Sequence, residues 1–316
     1  MSTLAALLIS IPIVPVAALL FEGIDRKIHA KMQRRIGPPI LQPIYDFIKL
    51  SLKETIIPET AASSRIFRVV PIISASTSML AAAIILGSLI EEASIGGDLI
   101  VVFYLLALSS IMIMIGGSSS GNPYGAISFS RKMTMLIAYE VPILISVLSV
   151  AIRCRSLAYY DIISLQRSSG SFLPIFNSLG MFLAGATFLL CIPAAADAVP
   201  FDIPEAKTEI VHGALIEYGG PGLALLKLAK STQNFTLTLL ASTVFFYTPS
   251  ILEENLILKL GTIVACLLPS LLIWLLTITL PRTIFARLKI GQALKFYWSF
   301  PLPLSVLSVL LSLIRI

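Results

Sequence analysis

The chain carries a succession of apolar runs, most of them long enough to cross a lipid bilayer: Leu4–Phe21, Val69–Ile90, Leu99–Ile115, Met133–Ile152, Leu173–Ala196, Phe235–Ile251, Leu256–Leu280 and Leu294–Ile314. A bilayer core about 30 Å thick needs roughly 20 apolar residues per helix. Inside it, only segments that satisfy their own backbone polar groups are viable. The pattern predicts an all-α membrane protein with about eight transmembrane helices and cytoplasmic amphipathic helices, forming one polytopic domain over residues 1–316. Composition agrees: 13% of residues are charged, against ~25% in a typical soluble domain. The first run lacks a basic leader and a small-residue cleavage site and ends in "FEGIDRK", so it reads as the first span and not as a cleaved signal peptide.

The placement of the basic residues orients the chain. With eight spans and an external N-terminus, the inner segments collect most of the 23 Lys and Arg. The positive-inside rule then puts both termini on the outer side of a prokaryotic cytoplasmic membrane. Acids at Glu91, Glu92, Asp98, Asp161, Glu253 and Glu254 fall on the outer side; the three arginines at 153, 155 and 167 run against the trend. The net charge of +6 is explained by topology and lipid headgroups, and no nucleic-acid partner is expected. Cys154, Cys191 and Cys266 lie far apart, as do His29 and His212, so the chain is expected to bind no metal or cluster of its own.

Three segments stand out from the apolar background. The first, within residues 23–64, contains Pro43–Thr55, where Ile44, Phe47 and Ile48 follow helical spacing among Asp46, Lys49, Lys53 and Glu54. This is the pattern of an interfacial amphipathic helix, serving as a headgroup anchor or as a docking surface for a cytoplasmic partner. The second is "AYEVPIL", which sets Glu140 inside an apolar run beside Pro142. A charge at a helix centre costs about 2.5–3.5 kcal/mol on the insertion scale, so Glu140 is expected either to relay protons or to hold a structural polar partner. The proline is expected to kink the helix.

The third segment, within residues 197–222, is "PFDIPEAKTEIVHGALIEYGG", which gathers Asp202, Glu205, Glu209 and Glu217. Asp202-Ile-Pro-Glu205 reads as a helix start with a capping box. Capping leaves Glu209 and Glu217 unexplained. Glu205 and Glu209 are expected one turn apart on one face, with His212 near it, where close acids can share a proton.

Taken together, these segments resemble the membrane-heel component of respiratory complex I, its H subunit (subunit 1 in mitochondria). The resemblance rests on Pro200, Phe201, Asp202, Pro204, Glu205, Ala206, Glu209, Glu217, Tyr218 and Gly220, on Met32, Gln33, Arg35, Gly37 and Pro38 in "KMQRRIGP", on Leu41, Gln42, Pro43, Asp46, Ile48, Lys49, Leu50, Lys53 and Glu54, and on Tyr139–Val141. The chain departs from complex I in three places. "GPPILQP" lacks the longer insert of complex I, Lys207 stands where complex I has a further Glu, and Ala198 replaces an arginine. The short form, with "GSSSGNPYG" at Gly117–Gly125, looks like the equivalent component of membrane-bound group 4 nickel–iron hydrogenases and related complexes.

The resemblance implies a non-catalytic membrane anchor beneath soluble hydrogenase-like small and large subunits, beside antiporter-like membrane subunits. The 4Fe–4S clusters and NiFe centre would lie in the partners. It implies proton relay and coupling at Glu140, Asp202, Glu205, Glu209 and Glu217, and docking at Arg34, Arg35, Asp46, Lys49 and Lys53. In the alternative, complex I-like reading, Phe201, Arg35 and the acidic loop line a quinone cavity. A sulfane-reductase or formate-linked complex would use the same component. A stand-alone secondary transporter is disfavoured by the absence of a convincing internal repeat.

Overall fold

The computed structural model describes residues 3–91, 98–168, 178–246 and 256–314. Glu92, Glu253, Glu254 and Arg315, and the side chains of Glu91, Arg167, Lys207 and Lys259, lie outside the described residues. The described chain is helical: α1 (Thr3–Met32), α2 (Gln42–Ser51), α3 (Ser64–Glu91), α4 (Asp98–Ser119), α5 (Pro123–Cys154), α6 (Tyr159–Ser168), α7 (Leu179–Ala195), α8 (Lys207–Ile210), α9 (Gly220–Phe245), α10 (Leu256–Trp274), α11 (Leu280–Ile284), α12 (Ile290–Ser299) and α13 (Pro301–Ile314). Among these are five segments long and apolar enough to cross a membrane: Ser64–Ile90, Asp98–Ser119, Pro123–Cys154, Val264–Ile284 and Ile290–Ile314. The last combines α12 and α13, which meet at Phe300–Pro301, and Leu179–Ala195 is apolar but shorter.

The centre of the bundle is α9, which packs against α1, α2, α3, α4, α7 and α10. Every residue from Phe235 to Phe245 is buried. The sequence pattern starts a span at Phe235; the helix begins fifteen positions earlier, at Gly220. Lys227, Lys230, Ser231, Thr232 and Gln233 hide this stretch from a hydropathy reading, yet the last three are buried. The hydroxyls of α9 are tolerated because they return hydrogen bonds to carbonyls one turn back, as in Thr232 to Leu228 at 2.9 Å and Thr236 to Thr232 at 2.6 Å, and the Gln233 amide donates across to the Leu106 carbonyl of α4 at 3.1 Å. Others tie helices together: Ser78 and Thr232 lie 2.6 Å apart, and Ser74 contacts Ser109 across α3 and α4. Small residues at Ala81, Ala82 and Ala83 of α3 are fully buried, which lets backbones approach closely in an apolar solvent.

One further expectation is corrected: α5 starts at Pro123, ten residues before the apolar run that begins at Met133, so Glu140 sits near the middle of one long helix. α2 forms as a helix in which Pro43, Phe47 and Leu50 line a narrow groove against Leu19 and Glu22 of α1 and Ala224 of α9, while Ile48 lies away from that groove and is 51% exposed.

Overpacking the α3 seam should therefore cost more than removing one of its hydroxyls. Ala82→Leu is expected to destabilise by about 1–3 kcal/mol, and Ser78→Ala by only about 0.6 kcal/mol, measured as detergent-induced unfolding of the purified protein.

Candidate functional site

The acidic segment between α7 and α9 does not fold as a capped helix. Ile203–Glu205 is one 3-10 turn and Asp202 makes no side-chain cap; α8 is four residues long and Gly213–Leu215 is a further 3-10 turn. Asp202 is occupied elsewhere. Arg287, in the connection between α11 and α12, grips its carboxylate with two hydrogen bonds, at 2.5 and 2.6 Å, and also donates to Thr208 at 3.1 Å. A bidentate arginine outcompetes a backbone cap because it matches both carboxylate oxygens with charge as well as geometry.

The other acids are likewise separated. Glu205 pairs with Lys230 of α9 at 2.6 Å. Glu209 pairs with Arg131 of α5. Glu217 accepts from the Asn122 amide at 2.6 Å, and Asn122 also caps α5 by accepting from the Tyr124 backbone N–H at 2.9 Å. The expected face shared by Glu205 and Glu209 is absent, because each acid is drawn to a different helix. His212 is exposed.

Sequence reasoning did not single out the deepest member of the site, Asp197. Lys132 of α5, itself buried, donates to both Asp197 oxygens at 2.5 and 2.6 Å. Lys230 lies 3.9 Å from the same carboxylate. Lys132, Asp197, Lys230 and Glu205 thus form a ladder of alternating charge at the junction of α5, α7 and α9. The signal was present as two lysines and an aspartate bordering apolar runs, but their pairing is long-range and leaves no local pattern. Burial alone would push the Glu205 carboxyl up; Lys230 beside it, supported by Lys132 and His212, outweighs this and holds it below its ordinary value of 4.5.

Backbone geometry locks the loop against its neighbours. Ser128 donates to the Pro204 carbonyl at 2.7 Å. Gly213 has φ +53°, and a Cβ there would stand 2.5 Å from that carbonyl. Tyr218 stacks on Phe67 at 4.0 Å between centroids and donates to the Phe67 carbonyl. Gly220, at φ +55°, comes against the Glu54 carbonyl, so the first connecting segment and the acidic segment meet.

The remaining candidates are distributed around this junction. Glu140 is half-buried and has no hydrogen-bond or ion-pair partner among the described residues. It borders an apolar cavity of about 270 Å³ between α4 and α5, with Tyr104 and Leu148, and a second, smaller one. Phe201 is buried against Tyr297 and Phe296 of α12. Asp46 is turned towards α1, where Arg26 meets it at 3.1 Å; it does not share a free polar face with Lys49. Arg34, Arg35, Lys49 and Lys53 lie at the surface. Among the described residues, no group of three or more His, Cys, Asp or Glu could hold a metal ion.

Residues 4–313 match the family model described as NADH dehydrogenase. The chain belongs to that family. It is 30% identical over 304 residues to the H subunit of NADH-quinone oxidoreductase from Geobacillus thermodenitrificans, covering 91% of this chain and 86% of the relative. The corresponding Geobacillus kaustophilus protein is 29% identical, with 98% and 92% covered. Among solved structures, a chain of a membrane-bound sulfane sulfur reductase, an archaeal respiratory membrane complex, superposes with a TM-score of 0.86 at 29% identity, covering 99% of this chain and 100% of that one. The protein is therefore a multi-pass membrane protein homologous to the H subunit of complex I-like respiratory oxidoreductases.

Two measurements test the ladder. Lys132→Met should destabilise the protein by about 3–5 kcal/mol, because it strands a buried carboxylate, and adding Asp197→Asn, which removes the charge and suits the positive φ at that position, should recover most of the loss; resistance to SDS-induced unfolding reads both. Because the Glu205 carboxyl is held low, its stabilisation is present above the unfolded value and is lost as pH falls through the folded one. Hydrogen exchange across residues 203–215 should stay slow from neutral pH to about 5 and accelerate below about 4 after correction for intrinsic rates.

Proposed function

We propose that this chain is the membrane-anchor and coupling subunit of an ion-pumping respiratory oxidoreductase complex. With α1, α7 and α9 added to the five apolar segments, it spans the bilayer about eight times as one domain, with both termini outside. Residues 23–64 form the cytoplasmic docking surface through Arg34, Arg35, Lys49 and Lys53, and α2 lies at the interface. Residues 197–222 form the coupling loop, and Glu140 is the relay within the membrane.

The observation that carries this reading is the ladder Lys132–Asp197–Lys230–Glu205, which runs from the acidic loop to the span that holds Glu140. Lys230 stands between two carboxylates, 2.6 Å from one and 3.9 Å from the other. A proton arriving on Glu205, or a charge change in a docked redox partner, shifts Lys230 towards Asp197 and alters the field at Lys132. Such an element is bistable, and a redox event can bias it. The energies are commensurate: a two-electron drop of 100 mV releases ~4.6 kcal/mol, and moving one charge against 100 mV costs about 2.3 kcal/mol.

The partner module is read as a nickel–iron hydrogenase, whose small and large subunits carry the 4Fe–4S clusters and the NiFe centre, with ferredoxin as donor and protons as acceptor. Antiporter-like subunits would move H⁺ or Na⁺. Coverage favours the short-form branch over quinone reductases: the chain spans all of the sulfane reductase chain but 86% and 92% of the two Geobacillus proteins. The same superposition makes a sulfane-reducing module the second reading.

Gentle purification of the intact complex separates these readings. Nickel with iron–sulfur subunits supports the hydrogenase, iron–sulfur without nickel and with sulfane reduction supports the second reading, and quinone-dependent turnover overturns both. Glu140→Gln is expected to spare turnover with artificial redox partners while abolishing ion uptake into vesicles; undiminished uptake removes Glu140 from the relay.

A further inference from the structure

The larger cavity, of about 270 Å³, is a groove along the seam between α4 and α5. On α5 its lining runs from Glu140 to Ala151, on α4 it starts at Leu99, and Leu157 bounds it where α5 gives way to α6. Ile100, Tyr104, Leu144 and Leu148 on its walls are exposed, so the groove opens sideways, towards lipid. From Ala151 to Glu140 the helix rises about 16 Å, at 1.5 Å per residue. Half of a hydrocarbon core about 30 Å thick is about 15 Å. The groove therefore has the length of one leaflet, and it starts at the C-terminal end of α5.

That end is basic. Arg153 and Arg155 lie between two residues of the lining, Ala151 and Leu157. Arg155 is exposed and ends α5 in the left-handed conformation, at φ +55°. Neither guanidinium has a hydrogen-bond or ion-pair partner among the described residues. Asp161, on α6, accepts from Ser156 at 2.6 Å, and Asp98, beside Leu99, is buried. A cation at the end of a helix is favoured by the helix dipole, yet one would serve. Two arginines here also run against the positive-inside asymmetry, so their placement needs a further reason.

We infer that the groove binds one membrane lipid with an anionic headgroup, its phosphate on Arg153 and Arg155 and one aliphatic chain in the slot between α4 and α5. The leaflet is the one that holds the C-terminal end of α5, the outer one in the orientation proposed above. Guanidinium groups match phosphate in both charge and geometry. Lipid tails are as apolar as the groove walls, so the chain supplies fit and the phosphate supplies selectivity. Glu140 closes the inner end and also borders the smaller cavity with Ser110 and Gln233, so its carboxyl has a polar side to turn to. A helix of a neighbouring subunit fits less well. With side chains it is about 10–12 Å across, and a slot of this volume and length takes a chain, not a cylinder. The bound lipid fills the seam and keeps water from entering it at the membrane surface.

The test uses the assembled complex in phosphatidylcholine vesicles that contain a trace of a lipid with a photoreactive diazirine at its chain end. The probe is phosphatidylglycerol in one set and phosphatidylcholine with the same chains in the other. After illumination, mass spectrometry maps the labelled peptides. Residues 140–151 are expected to take up the phosphatidylglycerol probe about tenfold more than the phosphatidylcholine probe, and unlabelled phosphatidylglycerol is expected to suppress that label. Arg153→Gln combined with Arg155→Gln should bring the ratio close to one; neither guanidinium has a described partner, so the bundle keeps its packing. Leu148→Trp fills the slot and should remove the label with both arginines in place. If it does not assemble, Ile100→Trp on the facing wall carries the same arm. A ratio near one in the wild type, or one that survives loss of both arginines, overturns the site, as does undiminished label in the tryptophan variants. Absence of label from residues 140–151 overturns it too, and is the result expected if a neighbouring membrane subunit occupies the groove. Label that rises in proportion to probe and never saturates marks ordinary bilayer contact and has the same consequence.

Discussion

A charge taken out of water into an apolar bundle must find an opposite charge nearby, and most of the site's geometry follows from that requirement. Lys132 is buried in α5, and its desolvation is offset only because both oxygens of Asp197 meet it. Asp197 in turn lies at the end of α7 with φ +49°, a conformation that aspartate tolerates better than bulkier residues. From that pair the requirement propagates outward. Lys230 adds a second positive charge beside that neutral pair, Glu205 balances Lys230, and the loop between them is drawn down onto α9. A pair of this kind adds little net stability over an apolar replacement, yet it is costly to break from one side. It specifies where the loop sits more than how strongly the bundle holds together.

The bundle that carries the ladder is built around a polar helix that lipid does not reach. In water, the hydroxyls and amides of α9 would mark an exposed face. Here they are turned onto their own backbone or onto α3 and α4, and the apolar residues of the surrounding helices face the bilayer. Ile72, Val141, Leu148, Leu272 and Leu310 are exposed, as lipid-facing residues are. The core remains largely apolar, and many of its buried polar side chains gather on α9.

The spans were legible because bilayer thickness imposes a length that composition reveals directly. Glu140 was legible for the same reason, since an acid in an apolar run is expensive. What could not be read was pairing. Asp202 looks like a cap until Arg287, far along the chain, claims it, and Lys132 looks like a topology signal until Asp197 meets it. Helix periodicity for α2 was legible, but which of its residues meet α1 and α9 was not. The early start of α9 was hidden by hydroxyl groups whose partners exist only after folding. Local patterns report what a segment needs; they do not report which distant segment supplies it.

The clasp of Arg287 on Asp202 has a consequence for how the protein is made. The two residues are 85 positions apart, and the Leu288 backbone N–H also donates to the Pro200 carbonyl at 3.1 Å. During synthesis, the acidic loop emerges well before the residues that fasten it. Until the segment after α11 has been translated, Asp202 lacks its arginine partner, on a loop already held by α3, α4, α5 and α9. Closure of that face therefore waits for the C-terminal helices, and a partner that recognises the closed loop would engage only a chain whose insertion is nearly complete.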